Sequence, residues 1–270
     1  MGYKIGDVSK LLNMPVETIR YYETKNIIRP YRLENSKYRV YETWDIFYLM
    51  QCMKYKSFNL SLEEIAQVIN NGSLQYILDK INEKDLEIRE KISHDTLLAE
   101  KLEELIKKLE TITLNQGNYW IQKLPERYYL YCVESDGDSY NDFDLSNPLF
   151  SQWLQYYPFV TACKHTSIHD FYNYLNREKW SLTIEKKYAE IFKLAINEYV
   201  KILPEQVYIT TIVNAGEKGE LSVQLLEPAI SYTESKGYKI SGDILGELLV
   251  RTHESGKYHR FFELMIPIQK

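Results

Sequence analysis

The sequence predicts an α+β chain: a basic helical head, one long helix, and a mixed body built on an antiparallel sheet. Three observations carry this. Residues 5–72 hold short apolar segments at helical spacing, interrupted by a proline turn. Residues 74–114 run for 41 positions without Gly or Pro. Beyond residue 118 the pattern changes to short alternating runs bounded by turn residues. At 270 residues, 44% of them apolar, the chain can build more than one core. The expected division is 1–72, 73–116 and 117–270.

In the head, Ile5, Val8, Leu11 and Leu12 recur at helical spacing, and Asp7 lies in the first turn, where the helix dipole favours an acid. Asn13-Met14-Pro15 ends this helix. Proline is acceptable in a first turn, so a second helix starts here and runs to about Lys25. Two short helices across a tight turn make a helix-turn-helix. In the second, Val16, Ile19 and Ile27 hold the helix to a core, while Arg20, Tyr21 and Tyr22 carry long donors. Two extended pieces around Glu34-Asn35-Ser36 predict a basic hairpin, a wing, between Arg29 and Tyr41. A third helix from about Thr43 is expected to bury Ile46, Phe47, Leu49, Met50 and Met53. A fourth begins at the capping box Ser61-Leu-Glu-Glu64, stapled by Leu60 and Ile65, and ends near Asn70-Asn71-Gly72.

The segment 74–114 predicts a helix of roughly 60 Å. Its stripe is Leu74, Ile77, Leu78, Ile81, Ile88, Ile92, Leu98, Leu102, Leu105, Leu109 and Ile112, heptad-like but for the polar step Ser93-His94-Asp95-Thr96. A helix this long cannot bury such a stripe alone, so it is expected to pair with a second copy as a coiled coil.

Leu114–Asn118 reads as a linker. Expected strands are 127–134, 207–213, 221–226, 245–251 and 258–268, and the expected helix is Leu182–Ile202, stopped by Pro204. Residues 214–219 and 254–257 read as hairpin turns. Glu134–Tyr140 weakly echoes Glu254–Tyr258, which hints at a duplicated unit.

Charge divides the same way. Residues 1–60 hold ten Lys and Arg against six Asp and Glu, a net +4, so the rest carries -9 of the total -5. A basic head on an acidic body points to a polyanionic partner for the head. Cys52, Cys132 and Cys163 are odd in number and form no CxxC, which implies a reducing compartment. No apolar run approaches a membrane span, and the expected location is the cytoplasm.

With Ile5-Gly6 to Leu12, the Pro15 turn, Thr18-Ile-Arg-Tyr-Tyr-Glu23, Ile27-Ile28-Arg29-Pro30, Tyr38-Arg39-Val-Tyr41 and Asp45 in order, residues 1–72 resemble the winged-helix DNA-binding domain of the MerR family of transcription regulators. Residues 74–114 resemble that family's antiparallel dimerisation helix. The resemblance implies a homodimer on a palindrome in double-stranded promoter DNA. It also implies activation by bending and untwisting an overlong spacer so that RNA polymerase can use both promoter elements. Candidate DNA contacts are Thr18, Arg20, Tyr21, Tyr22, Lys37, Tyr38 and Arg39: the arginine suits guanine or phosphate, the tyrosines phosphate and sugar. Glu23 would be repelled by phosphate and reads as a partner for a nearby Arg or Lys.

The end of the chain, from Gly237-Tyr-Lys-Ile-Ser-Gly242 to Phe261-Phe-Glu-Leu-Met-Ile-Pro267, is similar to the closing strands of GyrI-like effector-binding domains of multidrug-sensing members of that family. Alternation puts His259, Phe261, Glu263 and Met265 on one strand face. A carboxylate in an apolar run needs a cation, supplied either by Arg251 or Arg260 or by a ligand. Glu247 is the second such carboxylate. Trp120, Tyr129, Trp153, Tyr156, Tyr157, Trp180, Tyr258 and Phe261 are candidate walls for a small hydrophobic, cationic or aromatic ligand.

No thiol cluster follows the long helix, as metal-sensing relatives would have. Cys163, His165 and His169 lack a nearby fourth ligand, and Asp136–Asp142 departs from a calcium loop and reads as a solvated acidic loop. No metal site, cofactor or catalytic residue is expected, and the chain reads as a regulator rather than an enzyme. Two alternatives stay open: a GyrI-like hydrolase using Glu263 or Glu247 as acid or base, and a protein-binding body.

Overall fold

The computed structural model describes residues 2–32, 38–143 and 147–269. They fall into two compact units, Met1–Thr96 and Leu97–Lys270, divided within the long helix.

The first unit opens with α1 (Ile5–Leu12) and α2 (Val16–Thr24). Between them Asn13 adopts the left-handed conformation that suits a short polar side chain, and its N–H caps α1 by bonding to the carbonyls of Ser9 and Lys10. The short strands β1 (Tyr31–Arg32) and β2 (Arg39–Val40) pair antiparallel; the expected wing tip, residues 34–36, lies outside the described residues. Then come α3 (Thr43–Ser57) and α4 (Leu62–Asn71). The capping box at Ser61 forms as expected, with Glu64 N–H on Ser61 Oγ at 3.1 Å and Ser61 N–H on Glu64 Oε2 at 2.8 Å. Val8, Ile19, Tyr22, Tyr41, Leu49, Leu60 and Ile65 form the core. In α3 the expectation fails for three residues. Ile46 and Leu49 are buried, but Phe47, Met50 and Met53 are exposed, because the face that turns inward is Asp45, Ile46, Leu49, Cys52 and Tyr55.

Helix α5 spans Leu74–Glu110 and leaves none of its own residues buried. It stops four residues earlier than expected; α6 (Ile112–Asn115) follows after Thr111.

The second unit is a curled antiparallel sheet with helices on its convex side. Its strands are β3 (Trp120–Leu124), β4 (Arg127–Asp136), β5 (Ser139–Tyr140), β6 (Val160–Thr166), β7 (Arg177–Glu185), β8 (Val200–Leu203), β9 (Gln206–Asn214), β10 (Lys239–Ile240), β11 (Ile244–Glu254) and β12 (Lys257–Gln269). The main order is β3-β9-β12-β11-β6-β7-β4-β5, with β10 beside β12 and β8 beside β4. Helices α7 (Pro148–Leu154), α8 (Ile168–Tyr172), α9 (Lys186–Ile191) and α10 (Glu227–Ser235) complete it, with a 3-10 turn at Val223–Leu226.

Two cores lie behind the sheet. Phe262, Leu264, Ile266, Ile209 and Trp180 pack with Leu226, Ala229 and Ile230. Leu130, Leu182 and Ile184 pack with Trp153, Phe159 and Tyr188.

Three expectations are corrected here. Leu182–Ile202 is not a helix: Trp180, Leu182 and Ile184 alternate inward as the end of β7, and only Lys186–Ile191 is helical. Residues 221–226 are not a strand: Val223–Leu226 form a 3-10 turn leading into α10, so residues 214–219 are a loop rather than a hairpin. The acidic loop is anchored, not solvated. Asp138 receives a bidentate pair from Arg260, at 2.5 and 2.9 Å, and also the N–H groups of Gly219 and Leu221. The turn at Ser255-Gly256 does form the β11–β12 hairpin, both residues having positive φ.

Candidate functional site

In the first unit, α2 presents Arg20 outward and leaves Thr18 half-buried at the margin, since Ile19 and Tyr22, three residues apart on one face, are fully buried. Tyr22 therefore leaves the set of DNA-contact candidates: at 1% exposure its ring belongs to the core, and burial pushes its hydroxyl pKa up. Tyr21 is half-buried. Its hydroxyl donates to Glu63 Oε1 at 3.0 Å, its ring meets Tyr22 edge-on, and Lys25 Nζ lies 5.5 Å from its centroid. Arg39 on β2 pairs with Glu23 on α2, Nε to Oε1 at 2.6 Å, so Glu23 holds an arginine as its charge suggested. Tyr38 is 74% exposed. Lys37 lies outside the described residues. Asp45, itself buried, accepts from the N–H groups of Arg29 and Glu42, at 3.2 and 2.8 Å, which fixes the start of α3 against the hairpin.

In the second unit the concave face of the sheet carries the chemistry. Strand alternation and register place Arg127, Tyr129 and Tyr131 of β4, Ser181 and Thr183 of β7, Cys163 and His165 of β6, Glu247 of β11, Glu263 and Met265 of β12, and Tyr208 and Thr210 of β9 on this face. The curl is strong enough that Arg127 reaches across three intervening strands to β12 and four to β9. Its Nη1 lies 3.9 Å from Met265 Sδ, its Nη2 3.5 Å from Tyr208 Oη, and its guanidinium 5.7 Å from the Tyr208 ring. Its Nε is buried without a hydrogen-bond partner.

Glu247 and Glu263 stand directly opposite each other on neighbouring strands. Glu263 is 5% exposed and accepts from Lys108 Nζ of α5 at 2.5 Å. Its expected partners are elsewhere: Arg260 is taken by Asp138, and Arg251 makes no ion pair with it among the described residues. Glu247 has no ion pair among the described residues. Burial raises its carboxyl pKa, Lys108 opposes the rise, and the charge of Glu263 adds to it. Burial pulls Lys108 down, but the two carboxylates outweigh this and hold it above its ordinary value. One helix heptad earlier, Lys101 pairs with Glu185 at 3.3 Å and lies over the Tyr188 ring.

Aromatic groups flank the carboxylates. Tyr129 and Tyr131 pack on His165, whose Nε2 is 2.8 Å from Ser181 Oγ. Burial, helped by Arg127, lowers the His165 pKa to about 4, so this imidazole is neutral near pH 7. His169, by contrast, sits on the exposed surface of α8 beside Asp170 and Asn173.

The expected ligand walls divide. Glu247, Glu263, Tyr129 and Phe261 share the concave face, and Trp120 joins it at the β3 edge, opposite Thr210. The half-exposed Tyr157 feels the charge of Glu247. Trp153, fully buried, and Tyr156, stacked on Phe192, belong to the core behind the sheet. Trp180 is buried on the convex side, where its Nε1 donates to Ser135 Oγ, and Tyr258 alternates to that side as well. These four are not walls of a concave-face site. Arg127, Lys108 and Tyr131 were missed, and His165 was weighed only as a metal ligand. Arg127-Tyr-Tyr-Leu-Tyr131 does show the alternation that places three of its residues on one face.

Two cavities stand out among the described residues. One of about 340 Å³ lies between Tyr119, which stacks on Tyr232 at 4.0 Å, and Trp120, Ile121, Ile209, Lys236 and Tyr238. The other, of about 280 Å³, lies along Tyr131–Glu134, Asn141, Asp142 and Lys179. Neither contains the carboxylate pair.

Residues 3–72 match the model of the MerR HTH family of regulatory proteins. The HTH-type transcriptional regulator HmrR of Rhizobium leguminosarum bv. viciae is 33% identical over 107 residues, 38% of this chain and 82% of that protein. This chain belongs to the MerR family. It is a DNA-binding transcription regulator. The ZntR homolog of Haemophilus influenzae is 32% identical over 110 residues, 39% of the chain and 82% of that protein. The Multidrug-efflux transporter 1 regulator of Bacillus subtilis matches along nearly the whole length, 19% identical over 276 residues, 99% of this chain and 97% of that protein. Within the MerR family, this chain thus has a relative whose resemblance continues through the second unit.

Proposed function

We propose that this MerR-family chain acts as a homodimer that binds promoter DNA through residues 1–72 and answers to a hydrophobic cation held by residues 117–270. The single observation that carries the sensor reading is the facing pair Glu247 and Glu263, of which only Glu263 holds an ion-paired cation among the described residues. Glu247 feels the charges of Lys108 and, more weakly, of Arg127 and Lys101, but bonds none of them among the described residues, and a carboxylate so placed in a face walled by tyrosines favours an organic cation beside it. A relative named as a regulator of a multidrug-efflux transporter supports a role for the second unit in a response to drugs.

Thr18, Arg20, Tyr21, Tyr38 and Arg39 are assigned to DNA, with Glu23 positioning Arg39. Residues 73–116 are assigned to dimerisation: the helix leaves Leu74, Leu78, Ile88, Ile92, Leu102 and Leu105 between 38 and 84% exposed, an unburied stripe that a second copy would cover. The response is a change of DNA shape that lets RNA polymerase use the promoter, as the family resemblance implies. Transcription in vitro tests the whole reading. A lipophilic cation should raise output from the chain's own promoter, Arg20→Ala should abolish promoter binding, and Glu263→Gln should keep binding but lose the response. Output indifferent to every cation would contradict it.

The hydrolase reading keeps one supporting feature, the raised pKa of Glu247, which suits an acid. Product formation from activated esters that depends on Glu247 would favour it.

A further inference from the structure

Resting on the cation-sensor reading, we infer that Lys108 is a built-in counter-ion that occupies the ligand's place on Glu263, and that a bound cation displaces it. Lys108 reaches Glu263 from α5, its Nζ 2.5 Å from Oε2. The two partners are unequally committed. The carboxylate side chain is 7% exposed, whereas the lysine side chain is 40% exposed. Glu263 therefore cannot exchange its partner for water without leaving a buried charge, but Lys108 can swing its ammonium into solvent at small cost. Whatever cation enters must meet Glu263 in its place, and a polarisable organic cation against Tyr129 and Phe261 loses less hydration than an ammonium does.

The displaced group is not an ordinary surface lysine. Lys101 and Lys108 lie seven residues apart on one stripe of α5, and each bonds a carboxylate of the sheet, Glu185 and Glu263 respectively. These are two ionic staples between the end of the helix and the sheet, and only the second lies at the carboxylate pair. Exchange of Lys108 for a ligand would open one staple and keep the other. The element released is the C-terminal end of the helix assigned to dimerisation. Ligand charge is thereby read as a change in how that helix end is held, with no need for the sheet to move. Neutral ligands of the same shape would leave Lys108 in place.

Amine labelling of the full chain tests this. Reductive methylation followed by peptide mass spectrometry reports each lysine with and without benzyltrimethylammonium, and with its neutral isostere neopentylbenzene. The expected result is that saturating cation raises the labelling rate of Lys108 by roughly tenfold or more, the scale of a lost charge-assisted hydrogen bond. Lys101 should stay unchanged, and the isostere should have no effect. Lys108→Met should bind the cation more tightly by a similar factor, and Lys108→Arg should bind as wild type. Cation binding with Lys108 labelling unchanged or slowed overturns the displacement and leaves the sensor reading standing. No cation binding by either the wild type or Lys108→Met overturns both.

Discussion

Glu23 Oε1 on α2 and Arg39 Nε on β2 lie 2.6 Å apart, so the helix that presents Arg20 and the hairpin that presents Tyr38 and Arg39 are tied by one ion pair. The pair is partly exposed, and its worth to stability is small, about 0–1 kcal/mol. Its consequence is positional. Glu23→Gln is expected to leave the melting temperature nearly unchanged and to weaken promoter binding severalfold. Arg20→Ala is expected to cost about 1–3 kcal/mol of promoter affinity. Gel shifts across a salt series measure both, and an unaffected Arg20→Ala would remove α2 from DNA recognition.

The unburied stripe of α5 makes a prediction about assembly. Ile88 and Ile92, one turn apart on that stripe, are 38 and 60% exposed in one chain, so aspartate there should not disturb the protomer. Ile88→Asp combined with Ile92→Asp should convert a dimer to a monomer in sedimentation equilibrium with the circular dichroism of the sheet retained. A double variant that sediments as a dimer would place the interface elsewhere.

Behind the sheet, Lys164 and Glu178 form an ion pair in which both side chains are almost fully buried, and Lys164 Nζ lies 5.9 Å from the Phe262 ring centroid. Gly246 makes room for it: a Cβ there would come within 2.8 Å of Lys164 Cγ. Glu178→Gln should destabilise the chain by about 3–5 kcal/mol, because it strands the ammonium, while Lys164→Met with Glu178→Leu should cost little or nothing. Urea midpoints decide, and a double variant as unstable as the single one would mean that the pair itself carries the stability.

His165 supplies a pH dependence. Its folded pKa of about 4 lies below the ordinary 6.5, so the folded chain binds fewer protons than the unfolded chain between these values. The stability held by neutral His165 is complete above pH 6.5 and is lost as pH falls toward 4. His165→Gln should therefore flatten the loss of melting temperature between pH 7 and pH 5. An unchanged slope would assign the acid sensitivity to other groups.

The sequence made the head legible because its devices are local. The Pro15 turn, the Ser61 capping box and the Ile19 spacing each act within a few residues. Phe47, Met50 and Met53 were misplaced because apolar character alone does not say which stripe of α3 turns inward. The body was only half legible. Its last two strands carry clean alternation and a Ser255-Gly256 turn, but β7 ends in Leu182-Thr-Ile, runs at once into Lys186–Ile191, and so reads as one helical stretch. Glu263 was legible as a carboxylate needing a cation. Lys108 as that cation was not, since the contact joins positions 155 residues apart and depends on where α5 meets the sheet.

The most direct measurement is titration calorimetry of benzyltrimethylammonium and neopentylbenzene against the full chain, Glu247→Gln and Glu263→Gln, at several pH values. The wild type should prefer the cation. Its affinity should rise with pH as Glu247, whose pKa is raised, loses its proton. Either substitution should weaken the cation by roughly ten- to hundredfold while leaving the neutral isostere unchanged. Equal losses for both ligands, or none, would contradict a sensor built on this carboxylate pair.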